Sequence, residues 1–134
     1  MRSLLPFVLT VVVAAEAGRE AIYTATKGEV SQTLVMKRVT STLVEFKLQS
    51  SNSKGTCKDE LSGEATQNPL SHPGAKSTPG EFAAEEYVYK KGKCQVTFRV
   101  DMESATMVKV LSACPEHKKP KCPLEIPAVL HLKH

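Results

Sequence analysis

Four cysteines, Cys57, Cys94, Cys114 and Cys122, and a C-terminal group of histidines, His117, His131 and His134, are the residues of this chain best equipped for chemistry. Zinc takes thiolates and imidazoles in tetrahedral sets, and Cys114, His117, Cys122, His131 and His134 supply such donors. Their spacing is looser than the paired spacing of structural zinc sites. His131 and His134 are three apart, which suits one face of a helix better than a strand. In an exported chain an even number of cysteines is consumed as disulfides, so no metal site is expected. Redox catalysis would want Cys-x-x-Cys, which is missing. The adjacent carboxylates Asp59-Glu60 and Glu85-Glu86 would point to opposite faces of a strand, and neither pair makes an acid–base dyad. Gly-x-Ser-x-Gly and His-Glu-x-x-His are also missing. These observations argue against an enzyme: no catalytic residue, metal or cofactor is expected.

Export follows from the first residues. Met1-Arg2-Ser3 is a short basic start, Leu4 to Ala15 is apolar, and Ala15-Glu16-Ala17 offers the small residues that signal peptidase reads. Residues 1–17 are therefore expected to be a signal peptide and 18–134 one disulfide-linked β-domain. The apolar run is shorter than the roughly 20 residues that cross a bilayer, so no membrane span is expected after cleavage. The expected location is the periplasm or the medium. The net charge of +4 over 134 residues is mild. No basic block is longer than a pair and aromatic residues are scarce, which argues against a nucleic-acid surface.

The elements that must position these residues are strands. Cys94, Val96, Phe98 and Val100 alternate with Gln95, Thr97, Arg99 and Asp101, the period-two pattern of a half-buried strand. Tyr87-Val88-Tyr89 precedes it across Lys90-Lys91-Gly92-Lys93, a turn with the glycine that hairpins use. Asp101 to Ser104 turns the chain into a third strand, Thr106 to Leu111. Upstream, Ala21 to Ala25 and Val30 to Arg38 flank a turn at Lys27-Gly28-Glu29. In Thr42 to Gln49, Val44, Phe46 and Leu48 share one face. Ser50 to Gly55 reads as a polar loop. Cys57 to Thr66 is the next strand, with Leu61, Gly63 and Ala65 on one face and Gly63 marking a bulge or a close approach. Asn68 to Gly80 is a long Pro- and Gly-rich loop. Phe82 to Glu86 is strand or one helical turn. Ala113 to Pro127 is a Pro-rich loop, and Ala128 to His134 a closing edge strand. The fold class is all-β, a small antiparallel meander barrel or sandwich with two disulfides.

Sequence alone leaves three cysteine connectivities open. Locality pairs Cys114 with Cys122, stapling one loop, and Cys57 with Cys94, joining two strands. In the loop-closure view the longer bridge is worth about 4 kcal/mol and the shorter about 2–3.

Cys57, Leu61-Ser62-Gly63-Glu64-Ala65, Tyr87, Cys94-Gln95-Val96-Thr97-Phe98, Val108 to Leu111 and the Cys114–Cys122 loop together resemble small exported bacterial β-proteins. Among these are lysozyme inhibitors of the membrane-bound c-type kind and the inhibitor domain of a mycobacterial lipoprotein. The resemblance implies a small antiparallel barrel that inserts a Ser-Gly loop, with a nearby basic or tyrosyl side chain, into a cleft lined by two carboxylates. Carried onto this chain, it marks Ser62, Gly63, Tyr87, Tyr89 and Lys91 as partner contacts. The tyrosine that follows the family's Ser-Gly is replaced by Glu64-Ala65-Thr66.

The expected function is an exported, non-enzymatic binding protein whose partner is a protein, with a lysozyme as the resemblance's choice. The alternative is an envelope or surface protein that binds another protein, or holds a small apolar ligand inside a barrel.

Overall fold

The computed structural model describes residues 19–68, 84–117 and 119–133. The expected signal peptide, 1–17, and most of the long loop after Asn68 lie outside the described residues. The chain forms eight strands: β1 (Glu20–Lys27), β2 (Val30–Arg38), β3 (Leu43–Asn52), β4 (Lys58–Gln67), β5 (Ala84–Lys91), β6 (Cys94–Asp101), β7 (Met107–Ala113) and β8 (Leu130–Leu132). They close into an antiparallel barrel in sequence order, β8 pairing with both β7 and β1.

Alternation decides which side chains face inward. Leu34 and Met36 of β2, Val44, Phe46 and Leu48 of β3, and Val96 and Phe98 of β6 are buried at every second position. Phe46 packs edge-on to Tyr89 at 5.2 Å and tilted against Phe98 at 4.7 Å, so three rings fill the middle. Two hairpins turn on two residues each, Gly28-Glu29 and Gly92-Lys93. Both glycines hold φ near 60°, the positive value that such turns require.

Three expectations are corrected. β3 continues through Ser50 to Asn52, where a polar loop was expected. Ala128 to His134 contributes a closing strand of three residues and not an edge. The disulfides are Cys57–Cys122 and Cys94–Cys114, not 57–94 and 114–122. The β6–β7 ladder explains the second bridge. Gln95 lies opposite Ala113, so one further step sets Cys94 beside Cys114, with Cα atoms 4.0 Å apart. Cys122 is thereby left for Cys57, 65 residues away, a closure that the chain-entropy model credits with about 4 kcal/mol. Two disulfides are those of an oxidising, extracytoplasmic setting. Among the described residues no helix is long and apolar enough to cross a membrane.

Residues 114–129, the cap, run across one end of the barrel, beginning with one 3-10 turn at Pro115–His117. Polar side chains at that end hold its backbone. Gln32 Nε2 donates to the Leu124 carbonyl and the Ser50 hydroxyl to that of Pro123, while the cap's own Lys119 Nζ donates to the Lys58 carbonyl of β4. Leu124 and Ile126 are buried beneath.

β4 and β5 meet at Thr66–Val88 and Gln67–Tyr87 and then diverge. Below that point the Tyr89 ring lies against Gly63. A Cβ on Gly63 would stand 2.6 Å from Tyr89 Cε1. The ring is held by Phe46 and cannot swing away freely. Gly63→Ala is expected to destabilise by about 1–3 kcal/mol through overpacking. Urea unfolding checks this. In a cycle with Tyr89→Leu the two losses should be markedly non-additive, and simple additivity would remove the contact as the cause.

Candidate functional site

The residues marked by the resemblance are scattered by the fold. Ser62 sits in the middle of β4, opposite Lys47, and points outward. Gly63 faces inward under Tyr89. Tyr87 and Tyr89 are 2% and 9% exposed, their rings part of the core. Lys91 is exposed at the end of β5, beside the Gly92-Lys93 turn. The Ser-Gly pair is therefore strand and not loop. Of the five, Ser62 and Lys91 alone present side chains to solvent.

Two surface features among the described residues are candidate sites. The first is a groove of about 330 Å³ beside the cap, lined by Ser112, Cys114, His117, Lys119, Pro120, Pro123, Leu124 and Glu125. His117 Nδ1 lies 2.9 and 3.0 Å from the two carboxylate oxygens of Asp59, which is 6% exposed. An Nδ1–H donated to a carboxylate fixes the imidazole's orientation, two-thirds of a hydrolytic triad. No thiol completes it among the described residues, whose cysteines are all disulfide-bonded. The Ser112 backbone N–H is bonded to Glu125. The pair ties the cap to β4, where Asp59 also accepts from the Glu60 N–H. Asp59 is separated from its neighbour Glu60, which turns outward to Gln49 and Lys47. The described zinc-type donors are dispersed too, and His134 lies outside the described residues. Cys114 and Cys122 belong to different disulfides, and no cluster of three or more His, Cys, Asp or Glu able to hold a metal exists among the described residues.

The second feature is a cavity among the described residues at the opposite end, the mouth. Its volume of about 190 Å³ is lined by Arg19, Ala21, Tyr23, Met36, Arg38, Val44, Tyr87, Val100 and Ala105. Its floor is apolar, because the inward positions of β2, β3 and β6 end there in Met36, Val44 and Val100. Its walls carry two tyrosines and its rim two arginines. The Arg38 guanidinium lies 5.9 Å from the centre of the Tyr87 ring, and its Nη1 donates to the Ser41 carbonyl at 3.0 Å. Asp101 stands near but is turned into its own loop, accepting from the Glu103 N–H and the Ser104 hydroxyl. The Tyr23 hydroxyl donates to the Ala105 carbonyl at 2.8 Å. Ala105 holds φ 56°, a left-handed conformation uncommon for a residue with a Cβ, and that hydrogen bond helps to fix it. Sequence reading missed this site because its residues come from strand ends far apart in the chain. The inward periodicity of Val44 and Val100 was visible, but not the arginines above it.

Comparison of the chain with protein-family models, with curated proteins and with solved structures gave no match. The lysozyme-inhibitor likeness rests on the short motifs alone.

Tyr23 carries a pH dependence. Burial, foremost, holds its hydroxyl above the ordinary value near 10.0; Arg38 opposes the shift and Asp101 adds to it. The folded state then resists losing the proton. The associated stability is complete below the unfolded value and is lost as pH rises through the raised folded one. Unfolding free energy should fall above about pH 10. Tyr23→Phe should cost about 1 kcal/mol at neutral pH, for the lost hydrogen bond, and flatten the alkaline decline. Chemical denaturation from pH 7 to 11 checks both; an unchanged alkaline slope in the variant would assign the effect to other groups.

Proposed function

We propose that this chain is an exported, non-enzymatic binding protein of the periplasm or the medium, and that its ligand enters the barrel mouth. The observation that carries this reading is the combination at that mouth: an apolar floor, two tyrosines and a rim with Arg19 and Arg38. Such a cleft takes a molecule with an apolar body and an anionic head. Guanidinium recognises carboxylate through paired N–H donors, and Arg38 is already oriented by Ser41. At about 190 Å³ the cavity is below the roughly 300–1,000 Å³ of drug-sized sites, so the ligand is small, a short-chain acid. The interior beyond is filled by Leu34, Phe46, Leu48, Phe98 and Leu130, which confines binding to the mouth.

Octanoate is the direct probe. Titration followed by amide chemical shifts should move Ala21, Met36, Arg38, Val100 and Ala105 together and saturate. Arg38→Ala should weaken binding roughly tenfold, the value of a charged hydrogen bond. Octylamine should not bind. No saturable shift at the mouth up to millimolar octanoate, or equal binding of octylamine, would remove this reading.

The second reading is an enzyme-cleft inhibitor of the lysozyme-inhibitor kind. It is favoured by the closed antiparallel barrel with an exposed lysine, Lys91, at a hairpin end. A turbidity assay against c-, g- and i-type lysozymes tests it. Saturation near one-to-one that is lost in Lys91→Glu supports the inhibitor, and no effect at micromolar protein eliminates it.

A further inference from the structure

We propose that the capped end of the barrel is an electrostatic docking surface for an anionic lipid bilayer, with the mouth held away from the membrane. In an up-and-down barrel every second connection lies at the same end. The β1–β2, β3–β4 and β5–β6 turns therefore share one end with the cap. Each brings lysines that are far apart in sequence. Lys27 ends β1 at the first turn, Lys54 lies in the second turn and Lys58 opens β4 beyond it. Lys90, Lys91 and Lys93 surround the third, and Lys119 and Lys121 lie on the cap. All are exposed.

The carboxylates at that end are fewer and mostly engaged. Glu29 pairs with Lys54 at 3.3 Å, Asp59 is turned inward onto His117, and Glu125 accepts from the Ser112 N–H; Glu116 is exposed. Among the described residues the mouth end is balanced instead. Lys37 stands opposite Glu45 across β2 and β3, Arg99 is paired with Glu86, and Arg38 shares its neighbourhood with Asp101. Among the described residues the surplus of lysine over carboxylate is thus gathered at one pole.

The form of the patch selects the partner. The lysines come from around the barrel's circumference and make a disc, which fits a plane. A linear polyanion is matched by a stripe. Among the described residues every aromatic ring is buried, so no base-stacking platform is offered to a single strand. Lysine, a hydrated point charge, gives no bidentate fork for specific phosphate recognition. Of the large apolar residues that are exposed, Ile22, Val39 and Met102 lie in the mouth half of their strands and loops, and Leu111 alone is near the capped end. Attachment is accordingly peripheral and electrostatic, without an inserted anchor. Each lysine near an anionic surface contributes modestly, and several together bind measurably at low ionic strength.

Co-sedimentation of the oxidised protein with phosphatidylcholine vesicles, with and without phosphatidylglycerol, tests the proposal. Binding should require the anionic lipid and vanish at high salt. Lys91→Glu with Lys93→Glu should lower partitioning by more than about tenfold. Lys37→Glu with Lys133→Glu, the same charge change at the other end, should leave it within about twofold. Circular dichroism confirms that each variant is folded. No partitioning onto acidic vesicles at low salt would overturn the proposal, as would equal losses in the two double variants. Binding to heparin or single-stranded DNA without binding to vesicles would reassign the pole to a linear polyanion and also overturn it. None of these outcomes depends on octanoate binding at the mouth.

Discussion

The barrel depends on how its wall is completed where β4 and β5 part. A closed sheet has no free edge, and an opening in its wall exposes both unpaired backbone and the core behind it. After Thr66–Val88 and Gln67–Tyr87 the two strands no longer share a ladder. Side chains take over from the backbone there. The Tyr89 ring lies on Gly63, where any Cβ would collide with it, and the ring is braced by Phe46. Nearer the capped end, Lys119 reaches the Lys58 carbonyl and His117 holds Asp59. Packing, a carboxylate–imidazole hydrogen bond and a lysine tether stand where strand pairing would otherwise be.

The cap can do this because it is fixed from two sides. Cys94–Cys114 holds its start against β6, and Cys57–Cys122 ties its middle to the residue before β4. Between these points Gln32, Ser50 and Asn52 donate to its carbonyls. A segment with several prolines has few N–H groups to give, so its backbone is held mainly through acceptors. Among the described residues one end of the barrel is capped and the other carries a cavity. That asymmetry separates a small cavity at one pole from a charged face at the other.

Much of this was legible in the sequence. Alternation in Thr42 to Gln49 and Cys94 to Val100 marked the inward faces, and glycines at 28 and 92 marked the turns. The failures have physical causes. Ser50 to Asn52 are polar and read as loop, yet their strand continues because its inward side meets the cap's backbone and not apolar side chains. Cysteine pairing by proximity in the chain ignored register. Extending the β6–β7 ladder by one step sets Cys94 opposite Cys114, a signal available from the hairpin itself. Ser62-Gly63 was read through a resemblance in which the dipeptide sits on a loop. The sequence reading also allowed that Gly63 marks a close approach, and the Tyr89 ring supplies one.

Charge was the least legible property, and the reason is topological. A linear search looks for basic runs, and the lysines of this chain stand mostly as singles and pairs between strands. The antiparallel meander returns the chain to the same end every second connection, so residues as distant as Lys27, Lys58, Lys93 and Lys121 become neighbours in one field. Fewer carboxylates follow, and Asp59 is committed to the cap's His117 and Glu60 to the outer wall with Lys47. Electrostatic potential depends on separation in space over roughly a Debye length and not on separation in sequence. A composition near neutrality is therefore compatible with a strongly polar molecule whenever the fold sorts its turns by end.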